Sequence, residues 1–120
     1  MGPEDVAVAF NECINRRDLA GLAALMTTDH VFTDTVGAEV SGKEACVEAW
    51  RGFFDAFPDY RNSFEQISAR GEIAIAVGFS SCESTELNGA ALWTAHTRGG
   101  KVHRWRVYED TPAVRAELGV

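Results

Sequence analysis

Apolar residues recur in threes and fours along the first third of the chain. Val6, Phe10, Cys13 and Ile14 fall on one side of a predicted helix, with Asn11, Glu12 and Asn15 between them. Asp18 is placed to cap a short second helix whose buried side is Leu19, Leu22 and Met26. The β-branched and aromatic run Val31-Phe32-Thr33-Asp34-Thr35-Val36 then predicts a strand closed by Gly37. Ser41-Gly42-Lys43-Glu44 matches the capping box S-x-x-E and opens a third helix. Its inner side is Cys46, Trp50, Phe53 and Phe57, and Pro58-Asp59 ends it.

Beyond this point the period changes to two. Tyr60 to Ala69 reads as a polar strand, with a turn at Arg70-Gly71. Ile73, Ile75, Val77 and Phe79 alternate with Ala74, Ala76 and Gly78, so one bulky face stands against a very small one. Asn88-Gly89 marks another turn. Ala91 to Arg98 and Lys101 to Glu109 form a hairpin across Gly99-Gly100, and Thr111-Pro112 starts a short last helix. Helices gathered ahead of sequential strands predict an α+β fold, with the helices packed on the concave face of a curved antiparallel sheet and a pocket between them. One domain spanning residues 1–120 accommodates all of it.

The hairpin turn predicts which side chains share a face. If 98 stands opposite 101, then 96 faces 103, 94 faces 105 and 92 faces 107. Leu92, Thr94, His96, His103, Trp105 and Val107 then form one face, and Trp93, Ala95, Arg104, Arg106 and Tyr108 the other. Unpaired arginines resist burial, which turns the first set inward. The second set reads as a homodimer interface on the outer sheet face, through Trp93, Arg104, Arg106 and Tyr108. A slip of one residue would exchange the two sets. Alternation on the first strand turns Asp34 inward between Phe32 and Val36, where an acid suits proton transfer.

Composition narrows the possible partners. Eleven basic and 18 acidic side chains give a formal charge of −7, which argues against nucleic acid and against anionic membrane surfaces. No apolar run reaches the ~18 residues of a membrane span, and no secretory leader is visible at the acidic N-terminus. Cys13, Cys46 and Cys82 are an odd number without metal-type spacing, which predicts free thiols in the cytoplasm. Only Asp34 would join His96 and His103, short of a tetrahedral metal site. Neither a metal nor a cofactor is expected.

The segments Phe32-Thr33-Asp34-Thr35-Val36-Gly37, Ser41-Gly42-Lys43-Glu44-Ala45, Gly100-Lys101-Val102 and Val107-Tyr108-Glu109-Asp110-Thr111 resemble, in this order and spacing, the nuclear transport factor 2-like superfamily. Within it, the chain is most similar to the SnoaL-like polyketide cyclase and ketosteroid isomerase branches. The resemblance implies a cone-shaped mixed sheet with a pocket under the helices. Asp34 falls where ketosteroid isomerases keep their proton-shuttling aspartate. Their oxyanion-binding positions fall on Phe10, on Trp50 and near Thr94, so that oxyanion hole is missing here. The aspartate–histidine set of the SnoaL-like cyclases implies His96 and Asp110 beside Asp34. Limonene-epoxide hydrolases use an Asp-Arg-Asp arrangement, which finds no match.

The expected function is cofactor-independent acid–base chemistry on a hydrophobic, carbonyl-bearing small molecule, by isomerisation or aldol-type cyclisation. Asp34, His96 and Asp110 are the catalytic candidates. Phe10, Phe32, Trp50, Phe53, Thr94 and Trp105 are the expected pocket walls. The competing expectation is a non-catalytic module of the same fold that binds a small molecule or dimerises.

Overall fold

Proline in the first turn, with Glu4 and Asp5 beside it, starts helix α1 (Pro3–Arg16) in a computed structural model that describes residues 2–120. Its stripe of Val6, Ala7, Phe10, Cys13 and Ile14 is buried. Arg17 ends the helix at φ 58°, a conformation usually left to glycine. Its guanidinium donates to the carbonyls of Ile14, Asn15, Phe57 and Pro58, which ties this helix end to a segment 40 residues on.

Asp18 caps α2 (Leu19–Leu25) as predicted, its Oδ1 accepting from the Gly21 amide at 2.9 Å. Met26, expected on the buried side of α2, is its C-cap and opens β1 (Met26–Thr33). That strand also stops three residues earlier than predicted, because Asp34 turns the chain into β2 (Glu39–Ser41). The expected capping box does not form. Ser41 is a strand residue paired with Val31, and α3 (Lys43–Ala56) starts from Gly42 at φ 96° with no side-chain cap. Cys46, Trp50 and Phe54 are the buried residues of α3, with Phe53 and Phe57 half-buried.

The remaining elements are β3 (Arg61–Arg70), β4 (Ile73–Ser81), a 3-10 turn (Thr85–Leu87), β5 (Gly89–Arg98), β6 (Lys101–Glu109) and α4 (Pro112–Leu118). The sheet order is β2-β1-β6-β5-β4-β3, and every pairing is antiparallel except β1 with β6. The fold is therefore α+β, with a mixed, unclosed six-stranded sheet. Register shifts between Phe64 and Gln66 and between His96 and Thr97 bend it.

The two faces of the sheet carry different residues. Ala74, Ala76, Trp93, Ala95 and Trp105 join the main core with α1–α3. The small face of β4 thus looks at the helices and leaves room for tryptophan on its neighbours. Gly78 continues that face, and a Cβ there would overlap the Ser63 carbonyl oxygen. Ile75, Val77, Leu92 and Thr94 are buried on the opposite face. Arg70 shares that face and donates to the Gly119 carbonyl, which brings the end of α4 onto it. Among the described residues no helix is long and apolar enough to cross a membrane.

Candidate functional site

A cavity of about 690 Å³ opens between α3 and the inner face of the sheet, a size suited to a small organic molecule. Trp93 on β5 and Trp105 on β6 lie on its sheet side, and Trp50 and Phe53 on its helix side. Phe32 closes one flank, with its ring edge-on to Trp50 at 5.6 Å. The charged lining residues are Asp34, Glu86, Glu109 and Asp110, with no lysine or arginine among the described residues that line it.

Asp34 stands at this cavity just past the end of β1, on the same alternation as Phe32. Its Oδ1 accepts from the amides of Val36 at 3.0 Å and Ala38 at 2.9 Å, which builds the turn into β2. Oδ2 has no hydrogen-bond partner among the described residues. One carboxylate oxygen is therefore structural and the other free to meet a ligand. Asp110 also lines the cavity, but Arg115 takes both of its oxygens at 2.7 and 2.9 Å and holds its carboxyl below the usual range.

Four expectations about β5 and α1 need correction. His103 is an extra residue on β6, so His96 pairs with Arg104, and β5 presents the face opposite to the one predicted. His96 and Thr94 therefore lie on the outer face, away from Asp34. Trp93, expected outside, is 2% exposed and lines the cavity. Phe10 is not a wall but lies behind one, stacked on Trp105. His96 instead meets His103 edge-on at 5.7 Å, and burial, then His103 and Arg104, push its pKa down. Phe32, Trp50, Phe53 and Trp105 line the cavity.

A polar cluster in the cavity wall was not anticipated. Tyr60, Asn62 and Ser80 are all buried and line the cavity where β3 meets β4. Ser80 Oγ donates to Asn62 Oδ1 at 2.8 Å, and the Tyr60 hydroxyl meets Ser80 Oγ at 3.3 Å. Burial pushes the Tyr60 phenol up, which keeps it protonated. The signal was present in part, since positions 60 and 62 share a face in any strand. Ser80 joins them only through the β3–β4 register.

His30 was also missed. It is fully buried behind the cavity, where its Nδ1–H donates to the Val102 carbonyl at 2.7 Å. Its Nε2 has no partner among the described residues, and burial pushes its pKa down. Among the described residues no group of three or more His, Cys, Asp or Glu side chains is placed to hold a metal ion.

Comparison with known proteins agrees with this architecture. A proposed polyketide cyclase from Sinorhizobium meliloti is similar at 17% identity and TM-score 0.78, over 86% of this chain and 93% of its own. IdmH, a proposed polyketide cyclase from Streptomyces antibioticus, is similar at 18% identity and TM-score 0.76, with 100% of both chains covered. An LEH-like epoxide hydrolase from M. tuberculosis is similar at 15% identity and TM-score 0.79, over 90% of this chain and 78% of its own. At such identities these likenesses establish the fold. No curated protein matches the sequence. The family model of the SnoaL-like domain matches residues 7–109, nearly the whole run from α1 to the end of β6, and the chain therefore belongs to the SnoaL-like family.

Proposed function

We propose that this cavity binds a hydrophobic, carbonyl-bearing small molecule and that Asp34 acts on it as a proton acceptor, without a cofactor. Asp34 Oδ2 takes the proton from the carbon beside the carbonyl, and the C–H electron pair passes into an enolate. In an isomerisation the proton returns to a different carbon. In an aldol-type closure the enolate carbon bonds to a second carbonyl carbon, and the proton passes to the oxygen of that carbonyl. The observation that supports this most is a carboxylate with one oxygen fixed by the turn and the other free, beside aromatic walls. His96 takes no part, being on the other face of the sheet.

A second reading is a binding module that does no chemistry. The same two turn bonds favour it, because they account for an aspartate at this position without catalysis. Replacing Asp34 by Asn separates the two. A catalyst loses turnover by about 10²–10⁴-fold and keeps ligand affinity, whereas a binder changes little. Asn turnover equal to the wild type on a true substrate removes Asp34 as the base.

We also place the protein in the cytoplasm, supported by three unpaired cysteines. A homodimer through the outer face of the sheet remains part of the proposal, now without Trp93. It rests on Phe79, 43% exposed, together with Arg104, Arg106 and Tyr108 on the same face.

A further inference from the structure

We infer that Tyr60, Ser80 and Asn62 form a receptor for an acceptor oxygen on the ligand, at the end remote from Asp34, and that the ligand is a flat, neutral molecule carrying such an oxygen. The inference rests on reading the cavity as a small-molecule site, and it adds what that molecule must present.

The cluster is a built one. Asn62 is 2% exposed, and α1 holds its backbone on both sides. Asn15 Oδ1 accepts from its amide at 2.9 Å, and Asn11 and Asn15 donate to its carbonyl at 3.3 and 2.9 Å. Its side-chain oxygen is taken by Ser80, whose single hydroxyl proton is thereby used. Ser80 Oγ must then accept from Tyr60, so the chain of donors runs Tyr60 to Ser80 to Asn62. It ends on Asn62 Nδ2, which is buried and has no partner among the described residues. A buried donor left unpaired costs free energy that an incoming acceptor recovers.

The placement sets the ligand's shape. Asp34 follows β1, whereas Asn62 and Ser80 lie on β3 and β4, with β6 and β5 between them carrying Trp105 and Trp93. A molecule that reaches both ends lies across the two indoles, which favours a flat ring system. Asp34, Glu86, Glu109 and Asp110 line the cavity without a lysine or arginine, so a free carboxylate on the ligand meets repulsion and no partner. Tyr60, Ser80 and Asn62 are positioning residues for specificity, and the proton transfer is left to Asp34.

The test uses two probes of equal shape, 2-acetylnaphthalene and 2-ethylnaphthalene, titrated into nitrogen-15-labelled protein and followed by NMR. The ketone is expected to bind about tenfold more tightly than the hydrocarbon. It should also move the Asn62 side-chain amide signals, assigned through bonds, while the hydrocarbon leaves them in place. Asn62→Asp, which removes the free donor, should bring the ratio of affinities close to one, and 6-acetyl-2-naphthoate should bind about tenfold or more below the ketone. Equal affinities for the two probes in the wild type, or an Asn62 signal that ignores the ketone, overturn the receptor and leave the cavity a ligand site. Equal binding of the naphthoate overturns the neutral-ligand part. No binding of either neutral probe overturns both the receptor and the cavity reading. Because the Asn62 signals are read in the wild type, the outcome stands even if a variant does not fold.

Discussion

Phe10 lies against Trp105 with ring centroids 4.5 Å apart and planes 28° from parallel. Phe10 also stacks on His30 at 5.7 Å. The indole that lines the cavity is therefore held from behind by a fully buried ring on α1. Truncation removes that support and leaves a void, so Phe10→Ala is expected to cost about 3–5 kcal/mol in denaturant unfolding. Phe10→Leu should cost less. A loss under ~1 kcal/mol for the alanine variant would mean that α1 can collapse onto Trp105.

Acid should weaken the fold through His30. Burial holds its pKa below the ordinary 6.5; the Val102 carbonyl opposes this, His103 adds to it and Asp29 opposes it. The folded state thus binds fewer protons than the unfolded one as pH falls below 6.5, and stability declines from there toward the folded pKa. His96 contributes with the same sign. Carboxylates held low, such as Asp29 at about 2 beside Thr27 and Arg98, lose their contribution only in stronger acid. Melting temperature should fall as the pH drops below about 6.5, and His30→Gln should flatten that slope. Parallel profiles for the two proteins would exclude His30 as the cause.

Two glycines should respond with opposite signs. Gly52 lies in α3 with open space around it, so Gly52→Ala should stabilise by about 0.5–1 kcal/mol through helix propensity. Gly78 faces the Ser63 carbonyl, and Gly78→Ala must push β3 from β4 at a cost of about 1–3 kcal/mol. Thermal unfolding of both variants is the measure, and a stabilising Gly78→Ala would mean that the close approach is absent.

The turn after β1 gives Asp34 a second readout, independent of any substrate. Asp34→Ala removes the acceptor of two amide bonds and should cost about 1–3 kcal/mol. Asp34→Asn keeps Oδ1 and should stay within about 0.5 kcal/mol of the wild type. If both variants melt with the wild type, the turn does not depend on Oδ1.

For the homodimer, light scattering should give twice the 13.1 kDa protomer mass. Phe79→Asp puts a charge where the proposed partner packs and should return the mass to a single protomer. A wild-type protein that already scatters as one protomer ends the proposal.

The local features were legible because their physics is local. Asp18 and Thr111 cap α2 and α4 through their own side chains, accepting from Gly21 and Val114. Gly99 and Gly100 adopt positive φ, and Arg98 pairs with Lys101 as a two-residue turn requires. From the order of such elements the α+β class followed, together with Asp34 facing the cavity. The rest depended on contacts between distant segments. One extra residue at His103 changes little locally, yet it reverses the side chains of β5 from Ala91 to His96 relative to β6. That reversal buries Trp93 against the helices and leaves His96 outside, in an arrangement that only the packing of β5 between β4 and β6 decides. The same holds for Tyr60, Ser80 and Asn62. They stand 20 residues apart or less in the chain but become one cluster only when β3 and β4 pair and α1 closes over them. The sequence determined the main helices and strands, the caps of α2 and α4 and the last hairpin turn, because a few neighbouring dihedral angles and side chains settle those outcomes. Which face of each strand meets the cavity was decided by the tertiary structure, because burying two indoles outweighs the small local cost of a bulge.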